Sequence, residues 1–151
     1  MLETLITLFL VSTFLLGSAG VQSVALKLNK TSQVRNQAVL FASEIAERME
    51  TNKLGAIAGM YAYGGGVVTA SVDCLSAACS AAELAAFDVV EWSGRVRAAL
   101  PGATVSIDGA AANPVTYRIV IGWTERRTGQ AYATAGTTEA ASYTAVRTVF
   151  R

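Results

Sequence analysis

Residues 4–26 read TLITLFLVSTFLLGSAGVQSVAL, with Glu3 before them, Lys27 after them and no charge between. At about 1.5 Å of rise per residue, this run spans a hydrocarbon core of about 30 Å as a helix. A carboxylate at its head must be neutralised, paired or put to use, because lipid solvates it poorly. The run is too long for the roughly 7–15-residue apolar region of a cleaved secretory signal. It also lacks a basic segment before it and leads directly into more helix. The sequence therefore predicts a retained membrane helix carrying one acid, Glu3. Lys27, Lys30 and Arg35 follow, and the positive-inside rule taken alone puts them in the cytoplasm.

The helical pattern continues past the apolar run. Val34, Ala38, Phe41, Ala42, Ile45 and Met49 fall on one stripe, at spacings of three, four and their sums. Arg35, Glu44, Glu47, Arg48 and Glu50 take the other faces, and Glu44 and Arg48 make a supporting i,i+4 pair. No proline interrupts residues 1–53, which predicts one helix of about 75 Å. Its second half must lay its stripe along a soluble domain. Gly17 and Gly20 either kink the helix or let neighbouring helices approach closely, and close packing is the preferred reading.

Residues 54–151 read as a separate head. Gly55, Gly59 and the run Gly64-Gly65-Gly66 make residues 54–72 mostly loop. Ser80 with Glu83 forms an S-x-x-E capping box that opens a helix over about 80–100, closed by Pro101-Gly102. Leu84, Phe87, Trp92, Val96 and Leu100 supply its buried face. Residues 104–107, 117–124 and 142–150 read as strands. In the second strand Tyr117, Ile119, Ile121 and Trp123 alternate with Arg118, Val120, Gly122 and Thr124. The predicted fold class is α+β: a long helix, a small antiparallel sheet packed on its second half, and one further helix.

Composition removes most chemistry. Lys+Arg (12) nearly balance Asp+Glu (11), so there is no basic footprint for nucleic acid. The chain has no histidine, hence neither the commonest general base nor the commonest metal ligand. Gly64-Gly65-Gly66 neither follows a clear strand nor opens a helix, which argues against a phosphate loop. Asp88 and Glu91 are read as a solvated helix face, and Trp92 and Trp123 as core. No serine or threonine has an evident activator. The expectation is a non-enzymatic chain with no cofactor, no metal and no small-molecule substrate.

The residues MLETLITLFLVSTFLLG followed by QAVLFASEIAERMETN resemble the amino-terminal helix of type IV pilins, most closely the PilV-type minor pilins. Further along, Cys79 followed by SAAELAAFDVVEWSGRVRAALPG is similar to the head of the same group, and YRIVIGW to its central strand. The likeness covers most of the chain and weakens at residues 55–73 and 125–141. In pilins a peptidase cuts after a glycine, and the mature chain carries a glutamate at its fifth position. Here the matching glutamate is Glu3, so either two mature residues precede Met1 or the start has been altered.

The resemblance implies that Glu3 pairs with the amino terminus of a neighbouring subunit as the helix leaves the bilayer. It implies storage in the inner membrane with the head in the periplasm, opposite to the positive-inside reading. It also implies extraction into a pilus, where a minor-pilin complex primes assembly and sits at the tip. The implied partners are other minor pilins, a large tip adhesin and the major pilin below. The segment ERRTGQAYATAGTTE at 125–139 is read as a lateral contact loop. A minor pseudopilin of a type II secretion system is the alternative, and a membrane-anchored ligand-binding domain a more distant one.

Cys74 and Cys79 form C-x4-C. A zinc site lacks the second ligand pair and a redox site lacks C-x-x-C spacing. The preferred reading is a structural disulfide in an oxidising compartment, with free thiols as the alternative. Such a loop contributes about 2–3 kcal/mol in the chain-entropy model. Its expected role is to hold the glycine-rich loop at the start of the Ser80 helix.

Overall fold

The computed structural model describes residues 2–126 and 138–150. The elements in chain order are α1 (Leu2–Thr51), α2 (Lys53–Ile57), α3 (Ala81–Ala99), β1 (Thr104–Asp108), β2 (Val115–Arg126) and β3 (Thr138–Val149). By compactness the chain divides into Met1–Val34 and Arg35–Arg151, so the second half of α1 groups with the head.

In the first unit α1 is helical through Gly17 and Gly20 without a break. Its hydroxyls turn back onto their own helix. Thr7 donates to the Thr4 carbonyl at 2.9 Å, Ser12 to that of Phe9 at 2.8 Å and Ser23 to that of Ala19 at 3.0 Å. Thr13 donates to both Phe9 and Leu10. Hydroxyls satisfied in this way need no water, which suits a helix in an apolar solvent.

In the second unit the predicted stripe becomes core. Ala38, Ala42, Ile45 and Met49 are buried and Phe41 is half-buried. The sheet has order β1-β2-β3 and is antiparallel throughout. Its period-2 pattern works as expected: Tyr117, Ile119, Ile121 and Trp123 are buried beside Val105 and Ile107 of β1. Tyr117 meets Tyr61 edge-on, with ring centroids 6.5 Å apart, and its hydroxyl donates to the Ala56 carbonyl at 2.6 Å. Trp92 is buried and ties α3 to α1 by donating to the Phe41 carbonyl at 2.8 Å.

Three expectations change. Residues 54–57, read as loop, belong to α2, and Lys53, read as the end of the first helix, opens it. Asn52 caps it by accepting from the Gly55 amide at 3.2 Å while donating to the Ala81 carbonyl at 2.8 Å, so a contact distant in sequence supports this short turn. A Cβ at Gly55 would meet the Asn52 amide nitrogen at 2.6 Å, so close packing makes the glycine necessary. The strands run further than the alternation alone indicated: β2 extends to Arg126 and β3 begins at Thr138, so the ends of the 125–139 segment are strand. The middle of that segment, 127–137, lies outside the described residues. Finally, the buried face of α3 keeps the predicted Trp92 and Val96, with Leu100 buried just after it, but is rotated at its start: Ala85, Asp88 and Val89 are buried there, while Leu84 and Phe87 are half-buried.

Candidate functional site

The first unit holds Glu3, Gly17 and Gly20. Glu3 lies in the first turn of α1, where the helix dipole favours a negative charge. From Leu2 to Leu28 the large apolar side chains stay exposed within the chain, including Phe9, Phe14 and Leu16. A Cβ added at Gly17 or Gly20 would meet nothing within 4 Å. The glycines are therefore not required by packing inside this chain. The helix is long and apolar enough to cross a membrane, and its bare surface is what lipid or neighbouring helices would cover.

The second unit holds a charged cluster that sequence reading missed. Asp88, read as solvated, is buried. It accepts from the Tyr61 hydroxyl at 2.7 Å and from Arg48 Nη1 at 2.9 Å. Arg48 also reaches Glu91 at 2.7 Å and Glu44 at 2.9 Å, and Arg95 pairs with Glu44. Burial works against the Arg48 charge, but its bonds to Glu91 and Asp88 outweigh that and raise its pKa. Burial, with the hydrogen bond to Asp88 second, also raises the Tyr61 pKa. One arginine thus joins three carboxylates across α1 and α3. The signal in the sequence was an acid on an apolar stripe, at three residues from Ala85 and four from Trp92.

Two further links fix the loops. Arg97 donates to the Tyr63 hydroxyl and, at 2.9 Å, to the Gly65 carbonyl, holding the glycine run against α3. Arg35 makes a two-point bridge to Glu125, with both bonds 3.1 Å, and this hydrogen bonding is the main cause of the lowered Glu125 pKa. Cys74 and Cys79 form a disulfide with Cα atoms 5.6 Å apart. It closes a loop that ends at Ser80, whose hydroxyl accepts from the Glu83 amide while the Glu83 carboxylate accepts from the Ser80 amide. These contacts tie the loops to the helices and the sheet, and the charged cluster is internally paired.

Among families of known proteins, one described as Tt1218-like, type IV pilin Tt1218, matches residues 20–90, just under half of the chain. The match runs from the end of the apolar stretch through α2 and the disulfide loop into α3. No curated protein and no solved structure matches the chain. The match supports a pilin structural subunit. Over residues 20–90 the chain is similar to type IV pilins, and its long apolar helix followed by a small antiparallel sheet matches the α+β fold of that family.

Proposed function

We propose that this chain is a PilV-type minor pilin of a type IV pilus. Before assembly its apolar helix lies in the inner membrane with the head in the periplasm. It is then extracted into a minor-pilin complex that primes assembly and ends at the pilus tip. There it contacts other minor pilins and a large tip adhesin, with the major pilin below. The observation that carries this reading is α1: an uninterrupted helix with a bare apolar first half, one acid in its first turn and a second half built into the head. A simple anchor needs no such extension. In this reading Glu3 pairs with the positive amino terminus of a neighbouring subunit, since a buried charge is tolerated when paired and strongly penalised when alone. Gly17 and Gly20 let neighbouring helices approach closely.

The test is chemical crosslinking of membranes and of sheared pili carrying the tagged chain, with captured proteins identified by mass spectrometry. Recovery with minor pilins and a large tip protein is the expected result. Recovery with type II secretion pseudopilins instead would move the chain to that machine, and recovery with neither would overturn the assembly reading altogether.

A further inference from the structure

The charged side chains among residues 1–34 are Glu3, Lys27 and Lys30, and after Glu3 no acid follows until Glu44. Lys27 and Lys30 are exposed and sit three residues apart on α1, hence one turn apart on one face. Among the described residues neither forms an ion pair, whereas the next cation, Arg35, is taken by Glu125.

Helix geometry sets their depth. From Thr4 to Leu26 the axis advances about 33 Å, against about 30 Å of hydrocarbon. The polar layer outside that core is about 5–7 Å thick on each side. Lys27 comes about 1.5 Å and Lys30 about 6 Å after Leu26, so both stand in that layer when the apolar run fills the core. Leu26 and Leu28 beside them are exposed within the chain, as lipid contact requires. Glu3 is at the opposite end of the run, about 36 Å along the axis, too far to act as their counter-ion.

An ammonium in the phosphate layer draws a phosphate oxygen to itself. The phosphate of a zwitterionic lipid already has a cation of its own, while that of an anionic lipid does not. Two adjacent lysines without a carboxylate therefore favour anionic lipid. Their four-carbon stems let each ammonium adjust its height to the phosphates. We propose that Lys27 and Lys30 hold the phosphates of anionic phospholipids at the end of the membrane span. This rests on residues 4–26 lying in a membrane, and not on assembly into a pilus.

The test places the full chain in phosphatidylcholine vesicles carrying a trace of spin-labelled phosphatidylglycerol or spin-labelled phosphatidylcholine. Electron spin resonance then reads the fraction of each label immobilised at the protein. The unmodified chain is expected to select the anionic label over the neutral one at least about twofold, and less so in high salt. Lys27→Gln combined with Lys30→Gln brings that ratio to about one. Lys27→Arg combined with Lys30→Arg keeps the charge and retains the selection. Lys53→Gln, in the head and beside Glu50, leaves it unchanged. The double Gln variant is expected to keep its circular dichroism spectrum and to float with the vesicles, since both lysines are exposed. Three results would overturn the proposal: no selection by the unmodified chain, equal selection by the double Gln variant, or an equal loss from Lys53→Gln, which would mark a general effect of charge. A chain that does not float with vesicles at all would remove the membrane span, and the lipid contact with it.

Discussion

At Asp88 a carboxylate is buried between a tyrosine hydroxyl and a guanidinium, and removing it takes one acceptor from each donor. Arg48 keeps Glu44 and Glu91, whereas Tyr61 loses its short side-chain bond and retains only a 3.3 Å bond to the Arg48 carbonyl. Asp88→Ala is expected to destabilise the head by about 2–4 kcal/mol. Tyr61→Phe, which leaves the ion pair intact, costs about 1 kcal/mol. Urea unfolding of the purified chain measures both, and a loss for Asp88→Ala below about 0.5 kcal/mol would mean that the pair behaves like a surface one. Glu3 belongs at the same scale, and in the proposed assembly it acts between molecules. Glu3→Ala leaves the apolar run unchanged, so membrane fractionation is expected to find the variant in place while sheared pili lose it. Normal incorporation into pili would sink the pairing role. Glu3 stands out in the sequence because it is the single charge ahead of a long uncharged run. Asp88 was not, because an acid three residues from another acid on a helix normally faces water. Its place on the stripe of Ala85 and Trp92 was the one hint in the sequence, and the partner helix, bringing Arg48, explains it.

Among the elements, α3 was the most legible, because its start is set locally. Ser80 and Glu83 exchange hydrogen bonds three residues apart, and the bond with Ser80 is also what lowers the Glu83 pKa. Ser80→Ala is expected to cost about 1 kcal/mol, read as a lower urea midpoint with an unchanged slope. A slope change would instead show that the disulfide loop before it had loosened. The rotation at the start of the α3 stripe escaped notice because Ala85 is small and weakly apolar, so the larger Leu84 and Phe87, here half-buried, drew the reading instead. α2 escaped because its cap depends on Ala81, far along the chain. The glycine run illustrates the opposite limit. Gly65 has φ +88°, and a Cβ there would approach the Val105 carbonyl oxygen at 2.8 Å. Gly65→Ala is therefore expected to destabilise by more than about 1 kcal/mol, whereas Gly64→Ala, with open space around it, is expected to be nearly neutral. Comparing the two melts separates a strained backbone from a merely flexible loop.

For the whole molecule, the fold class follows from two changes of pattern: an uncharged run that no soluble core requires, then a switch from helical spacing to alternation at β2. The pairs that join distant elements, such as Arg35 with Glu125, leave no such trace, since any exposed glutamate would look the same in sequence. They do leave a trace in the pH dependence of stability. Glu125 and Glu83 are both held below the ordinary carboxylate value of 4.5, Glu125 chiefly by its hydrogen bond with Arg35 and Glu83 chiefly by that with Ser80. Below that pH the unfolded chain binds protons that the folded chain resists, so stability is full above pH 4.5 and falls as pH drops through the folded values. Tyr61 works in the other direction. Its pKa is raised from 10.0, first by burial and then by Asp88, so above pH 10.0 the unfolded chain releases a proton that the folded chain keeps. Stability governed by these three groups is therefore level between pH 4.5 and 10.0 and declines on both sides. Urea midpoints of the full chain across that range provide the measurement. Glu125→Gln is expected to flatten part of the acid limb, and added salt to do so less, because only the Arg35 end of the pair is exposed. Tyr61→Phe is expected to flatten the alkaline limb alone. An acid limb unchanged by Glu125→Gln would mean that the Arg35 bridge does not hold in solution, and that β2 is fixed to α1 by its apolar face without help from charge.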